Sequence, residues 1–158
     1  MSIDVNRRLM LKGTLATGMA GVAAAAGLLT PTMVLAAWPQ AAFDAKSIDS
    51  ALNSLLGSAA ATNSGDIKIK APTIAENGAI VNVVVKTTIP DVESISILVE
   101  KNGSPLAFSA DLAKSATGFV KTRIKIGKTS EVLGVVKAGG KLFSAKQVVK
   151  VTVGGCGG

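Results

Sequence analysis

The sequence predicts an all-β fold: an immunoglobulin-like antiparallel β-sandwich with a short N-terminal helix and a flexible C-terminal Gly-Cys arm. Three observations predict it. From Ile67 onward, about seven short runs of β-branched and aliphatic residues are separated by turn signals at intervals of roughly 8–15 residues. One stretch with apolar residues at helical spacing precedes them. The chain closes on Gly154-Gly155-Cys156-Gly157-Gly158, which has neither period.

Residues 1–36 come first. Arg7 and Arg8 are adjacent and Lys12 follows closely; the run from Gly13 to Ala37 is apolar and uncharged. A basic n-region before an apolar h-region is the layout of an export signal. The arginine pair resembles a twin-arginine (Tat) signal, departing from it at the residue before the pair and at Met10. Val34-Leu35-Ala36 supplies small residues for a signal peptidase, so cleavage is expected after Ala36, with Ala37 as the alternative. The run is also long enough to span a membrane. Its many Ala and Gly residues and its cleavage site favour removal over a stable membrane association. These features place the protein in the periplasm.

Residues 37–65 are expected to form a helix and a linker. Phe43, Ile48, Leu52, Leu55 and Leu56 recur at helical spacing within Trp38–Gly57, and Gly57 can end the helix. Ser58–Asp66 is small and polar. Residues 66–153 carry the sandwich. Ile67–Lys70 alternates; Ile80–Thr88 is apolar on both sides, as in a central strand; Ser94–Val99 alternates and ends at an Asn102-Gly103 turn. Leu106–Leu112 is a weaker strand. Val120, Ile124 and Ile126 fall on one face of the next strand and its basic residues on the other. Glu131–Ala138 leads into a tight Gly139-Gly140 hairpin. In the last strand Phe143, Ala145, Val149, Val151 and Val153 share the inner face.

Composition removes whole classes of function. The 158 residues contain no His, no Tyr and a single Cys. No internal disulfide, zinc cluster, Ser-His-Asp set or Cys-His pair can be assembled, and the usual ligands of haem and iron–sulfur groups are missing. No cofactor is expected. Removing Arg7, Arg8, Lys12 and Asp4 from the 17 basic and 10 acidic residues leaves 14 and nine, a formal charge of +5. In the periplasm that charge suits small anions or an acidic protein surface rather than nucleic acid. Twin-arginine export carries folded cargo. With no cofactor to explain prior folding, the chain is expected to carry a bound partner out with it.

The lone thiol stands third from the end. Free cysteine is usually a small buried hydrophobe, but glycines on both sides supply no apolar wall. Glycine permits almost any backbone angle, and five extended residues reach roughly 17 Å. Residues 154–158 therefore read as a thin jointed thread that can enter a narrow channel. No His, metal or helix N-terminus activates the thiol in sequence, which suits a carrier better than a catalyst or thiol oxidoreductase. An alternative is a disulfide-linked structural β-sandwich subunit, with Cys156 as an intermolecular crosslink.

The ending Val151–Gly158, VTVGGCGG, resembles the C-terminus of the SoxY family, the sulfur carriers of the Sox thiosulfate-oxidation system. Ala71–Ala79 resembles that family's P-x-I-A-E-N-G segment, Lys121–Lys125 its T-R-I-K strand, and Ala37-Trp38-Pro39 its mature start. Asn102-Gly103 departs from the family's more frequent Asn-Pro. The resemblance implies a non-catalytic carrier. Cys156 would hold the sulfur covalently, and Gly154, Gly155, Gly157 and Gly158 would form the swinging arm. A SoxZ-like β-protein would be its heterodimer partner, and SoxXA-, SoxB- and SoxCD-like enzymes would visit it transiently. Arg7 and Arg8 would present the chain to the Tat export machinery.

Overall fold

In the computed structural model the described residues are 39–152. The expected signal peptide at 1–36, Ala37 and Trp38 of the expected mature start and the GGCGG arm at 154–158 lie outside them, as does Val153, expected in the last strand.

The N-terminal helix is broken in two. Helix α1 is Gln40–Asp44 and α2 is Ile48–Leu56. Sequence spacing predicted one helix because the apolar positions run on in phase. The break comes from Ser47, whose extended backbone caps α2. Its Oγ accepts the Ser50 amide at 3.2 Å, and the Ser50 Oγ in turn accepts the Ser47 amide at 3.3 Å. Gly57 ends α2 as expected: its φ is 77° and its amide donates to the Asn53 carbonyl at 3.0 Å.

The strands are β1 (Thr62–Asn63), β2 (Ile67–Lys70), β3 (Ile74–Ala75), β4 (Val81–Thr87), β5 (Val92–Val99), β6 (Leu106–Asp111), β7 (Phe119–Ile124), β8 (Ser130–Ala138) and β9 (Lys141–Val151). They form an immunoglobulin-like sandwich. The larger sheet has the order β1-β9-β8-β5-β6, with β3 also on β9; the smaller has the order β2-β4-β7. Pairing is antiparallel with two exceptions. β1 and β3 pair parallel to β9, at its beginning and at its end. The expected linker thus contains a strand of the larger sheet. The chain then crosses to the smaller sheet as β2 and returns as β3.

Two apolar layers follow from this stacking. Val81, Val83 and Val85 of β4, Ile95, Ile97 and Val99 of β5, and Val132, Val136 and Val149 of β8 and β9 fill the space between the sheets. Ala42, Ala51 and Leu52 of the helices pack on Leu98, Leu106, Leu133 and Val135, on the other face of the larger sheet. Fully burying an aliphatic side chain of this size contributes about 1.5–3 kcal/mol.

This layering corrects two strand readings. β4 is central but not apolar on both sides: Val81, Val83, Val85 and Thr87 are buried, while Asn82 and Lys86 face water beside a half-buried Val84. The strands buried on both faces are β5 and β8, because the helices cover what would otherwise be a wet face. Ser94 and Ser96 of β5 are buried there, and the Ser96 and Ser109 hydroxyls share a hydrogen bond of 3.0 Å. The expectations for β7 and β9 hold. Val120, Ile124 and Ile126 face the core, and so do Phe143, Ala145, Val149 and Val151. Leu142 and Ser144 are buried on the opposite face as well. The hairpin is as expected, with Gly139 and Gly140 at φ 54° and 71°, both in the left-handed region a two-residue turn requires.

Candidate functional site: the base of the C-terminal arm

None of the predicted site residues falls within the described residues. Cys156, Gly154, Gly155, Gly157 and Gly158 lie beyond residue 152, and Arg7 and Arg8 lie before residue 39. What the structure describes is the support from which the cysteine motif departs, the last turn of hydrogen bonds along β9.

That support is made on both edges of one strand. On one edge, β3 runs alongside: the Lys150 amide donates to the Thr73 carbonyl at 2.9 Å and the Thr152 amide to the Ala75 carbonyl at 3.1 Å. On the other edge, where β8 has not yet begun, the Thr129 side chain takes over. Its Oγ1 accepts the Val151 amide at 3.0 Å and donates to the Val151 carbonyl at 3.4 Å. Val149 is fully buried just before this point. The final residues of β9 are thus held as sheet up to Thr152, although no regular strand pairs with them on the Thr129 side.

Gly78 locks the same region from below. A Cβ there would meet the Ile126 carbonyl oxygen at 2.2 Å and Val151 Cγ1 at 2.9 Å. Only a residue without a side chain lets these backbones approach. The approach is used, because the Ile126 amide donates to the Gly78 carbonyl at 2.7 Å. Asn102 holds the segment after β7. Its Nδ2 donates to the Lys125 carbonyl at 2.8 Å and its Oδ1 accepts the Gly127 amide at 3.0 Å. Sequence reasoning read Asn102-Gly103 as a turn and missed this second role.

The segment Ala71–Ala79 therefore has a structural meaning. It supplies β3, two of the carbonyls along β9 and the close approach at Gly78. Gln147 Nε2 adds a bond of 2.8 Å to the Ala71 carbonyl, midway between the β1 and β3 pairings. Among the described residues, no group of three or more His, Cys, Asp or Glu side chains could hold a metal ion. No described helix is long and apolar enough to cross a membrane.

A groove of about 710 Å³ lies at the opposite end of the strands, bordered by Ile89, Asp91, Val92, Leu112, Gly118 and Gly139. The intervening length of β9 is about 33 Å at the usual rise of a strand. Glu93 stands beside this groove. The Gly140 amide donates to its Oε1 at 2.8 Å and the Lys137 ammonium lies 3.2 Å from its Oε2. These contacts, the backbone bond first, hold the Glu93 carboxyl below the usual glutamate range.

Comparison with known proteins bears on the chain from the middle of α2 to Cys156. The family model described as "Sulfur oxidation protein SoxY" matches residues 52–156. The structure of the sulfur carrier protein SoxY from Chlorobium limicola f thiosulfatophilum is similar at 43% sequence identity and a TM-score of 0.62, covering 68% of this chain and 97% of that one. A chain from a study of toxic shock syndrome toxin-1 and T cell specificity is 8% identical, with a TM-score of 0.40 over 54% of this chain and 99% of that one. No curated protein matches.

Proposed function

The chain belongs to the SoxY family, and on that premise we propose that Cys156 is the covalent attachment point for sulfur intermediates of periplasmic thiosulfate oxidation. The protein is a carrier rather than an enzyme. The observation that carries the reading is the place of the thiol: the family match runs through to residue 156, and residue 156 is the only cysteine of the chain. The anchored end of β9 supports it, because a swinging thread needs a fixed base. In this reading Gly154, Gly155, Gly157 and Gly158 form the thread.

The chemistry balances on one sulfur atom. Two electrons leave as the Cys156 thiolate joins the outer sulfur of thiosulfate, giving Cys–S–S–SO₃⁻; a SoxXA-like haem enzyme takes them. Water then attacks the sulfone sulfur at a SoxB-like hydrolase. Sulfate leaves with two protons, and a persulfide remains on the cysteine. A SoxCD-like enzyme oxidises that sulfane sulfur further. This chain supplies none of the activating groups. It supplies a nucleophilic sulfur that holds another sulfur reversibly, beside the ordinary thiol oxidation ladder.

Export follows the same reading. Arg7 and Arg8 direct the folded chain to the Tat machinery, cleavage after Ala36 leaves a mature start at Ala37, and a SoxZ-like β-protein without its own signal leaves the cell as the heterodimer partner. The test is the intact mass of the protein purified from thiosulfate-grown cells. Adducts of sulfur and of thiosulfate are expected on the wild type and absent from Cys156→Ser. A constant disulfide dimer with no sulfur adduct would instead support the crosslinked structural subunit.

A further inference from the structure

The outer face of the small sheet carries an uncompensated grid of cations. Strand alternation puts Lys68 and Lys70 of β2, Lys86 of β4, and Lys121 and Arg123 of β7 on this face, all exposed. The register arranges them in rows. Lys68 is directly opposite Lys86, which is opposite Phe119; Lys70 is opposite Val84, which is opposite Lys121; Arg123 is opposite Asn82. With strands about 4.8 Å apart and same-face neighbours about 6.8 Å apart, the Cα atoms of five cationic residues fall within about 10 by 14 Å.

No carboxylate stands among them. The ion pairs among the described residues are Lys137 with Glu93 and Lys146 with Glu131, both on the larger sheet. Asp66, just before β2, accepts a hydrogen bond from the Ser64 hydroxyl at 3.3 Å and is in no ion pair with Lys68 or Lys86. Like charges directly opposite each other weaken a sheet, and the Lys68–Lys86 pair is of that kind. Folding alone gives no reason for the arrangement.

We propose that this face is an electrostatic docking surface for the acidic surface of a partner protein, engaged transiently. Four features point to that occupant. The side chains are rooted at fixed spacings on a hydrogen-bonded sheet, which suits carboxylates on another folded surface; a fluid anionic membrane requires no such spacing. The half-buried Val84 lies between Lys70 and Lys121, and Phe119, 49% exposed, lies opposite Lys86 at the corner of the grid; exposed aromatics are enriched in protein interfaces. A second copy of this chain would present the same positive face and be repelled. The area is a small fraction of the roughly 800 Å² per partner of a stable complex, so it serves encounter and orientation rather than permanent assembly. The proposal does not depend on what Cys156 carries.

The test uses mature protein, a short poly-L-glutamate peptide, and phosphatidylglycerol vesicles. Amide chemical-shift changes on adding the peptide are expected to concentrate at residues 68–70, 84–86 and 119–123 and to fade with added salt. A variant combining Lys68→Gln, Lys86→Gln, Lys121→Gln and Arg123→Gln should bind the peptide about tenfold less tightly or worse. Its melting temperature should be unchanged or raised, whereas a structural role would lower it. Should the combined variant fail to fold, Lys86→Gln alone is expected to weaken binding and not stability. Cys156→Ser should bind as wild type does, which separates this surface from the carrier reading. Tighter binding to vesicles would transfer the face to a membrane. Shifts spread equally over Lys46, Lys101 and Lys146 would reduce it to general charge, shifts with protein concentration alone would indicate self-association, and no binding would remove it. Each of these outcomes overturns the proposal.

Discussion

Replacing Gly78 by alanine should loosen the base of the arm, and the contacts set the size of the effect. The added methyl would stand 2.2 Å from the Ile126 carbonyl oxygen, so that oxygen must retreat by about 1.2 Å to reach the 3.4 Å at which ordinary contact begins. It belongs to backbone, and Ile126 is fully buried, so it has no flexible side chain to swing aside. The same shift stretches the 2.7 Å bond from the Ile126 amide to Gly78. Overpacking costs about 1–3 kcal/mol and a weakened hydrogen bond about 1 kcal/mol more, so a loss of about 2–4 kcal/mol is expected. Urea unfolding at constant slope measures it. Gly103→Ala is the control, since nothing lies within 4 Å of a Cβ there, and it should stay within about 0.5 kcal/mol of wild type. If Gly78→Ala matched that control, the close approach would not be holding this region and the argument would fail.

Three further outcomes are expected. Gly154→Val with Gly155→Val keeps the thiol but stiffens and widens the thread; alkylation by iodoacetamide should stay near normal while loading by partner enzymes falls steeply, and equal loading would refute channel entry. Glu93 has a lowered folded-state pKa, so its contribution is fully present above the ordinary glutamate value and is lost as pH falls through the lower folded value; Glu93→Gln should flatten the acid side of the stability–pH curve, and an unchanged curve would count against the Gly140 and Lys137 contacts. Arg7→Lys with Arg8→Lys should trap precursor in the cytoplasm, and normal export of that double mutant would remove the twin-arginine assignment.

The features legible in the sequence were those set by neighbours along the chain. Alternation placed β2, β5, β7 and β9, and the Gly139-Gly140 pair marked its hairpin because both positions need positive φ. Gly57 marked a helix end for the same reason. Features set by distant segments were not legible. β1 and β3 are two residues each and exist only because β9 offers an edge for them. The burial of Ser94 and Ser96 depends on the helical layer, which alternation within β5 cannot report. The break before α2 is a capping interaction that apolar spacing does not register. For the arm, the cysteine motif itself was plain in the sequence. Its support was not, because Thr129, Ala75 and Gly78 meet Val151, Thr152 and Ile126 across long sequence separations. Gly78 was the one available signal, a glycine inside the resembling segment rather than in a hairpin turn.

The parallel pairing of β3 with the end of β9 has a mechanical consequence. Tension applied at the C-terminus enters the domain at Thr152 and runs along the axis of β9. The hydrogen bonds to β3 and β8 lie across that axis, so they bear the load in shear and share it, instead of opening one after another as a peeled hairpin would. With β3 on one side and the Thr129 hydroxyl on the other, the first bonds under load are also braced from both edges. A tug on the terminal residues therefore meets a strand loaded along its strongest direction, and the Thr73 and Ala75 carbonyls on the β3 side share that load.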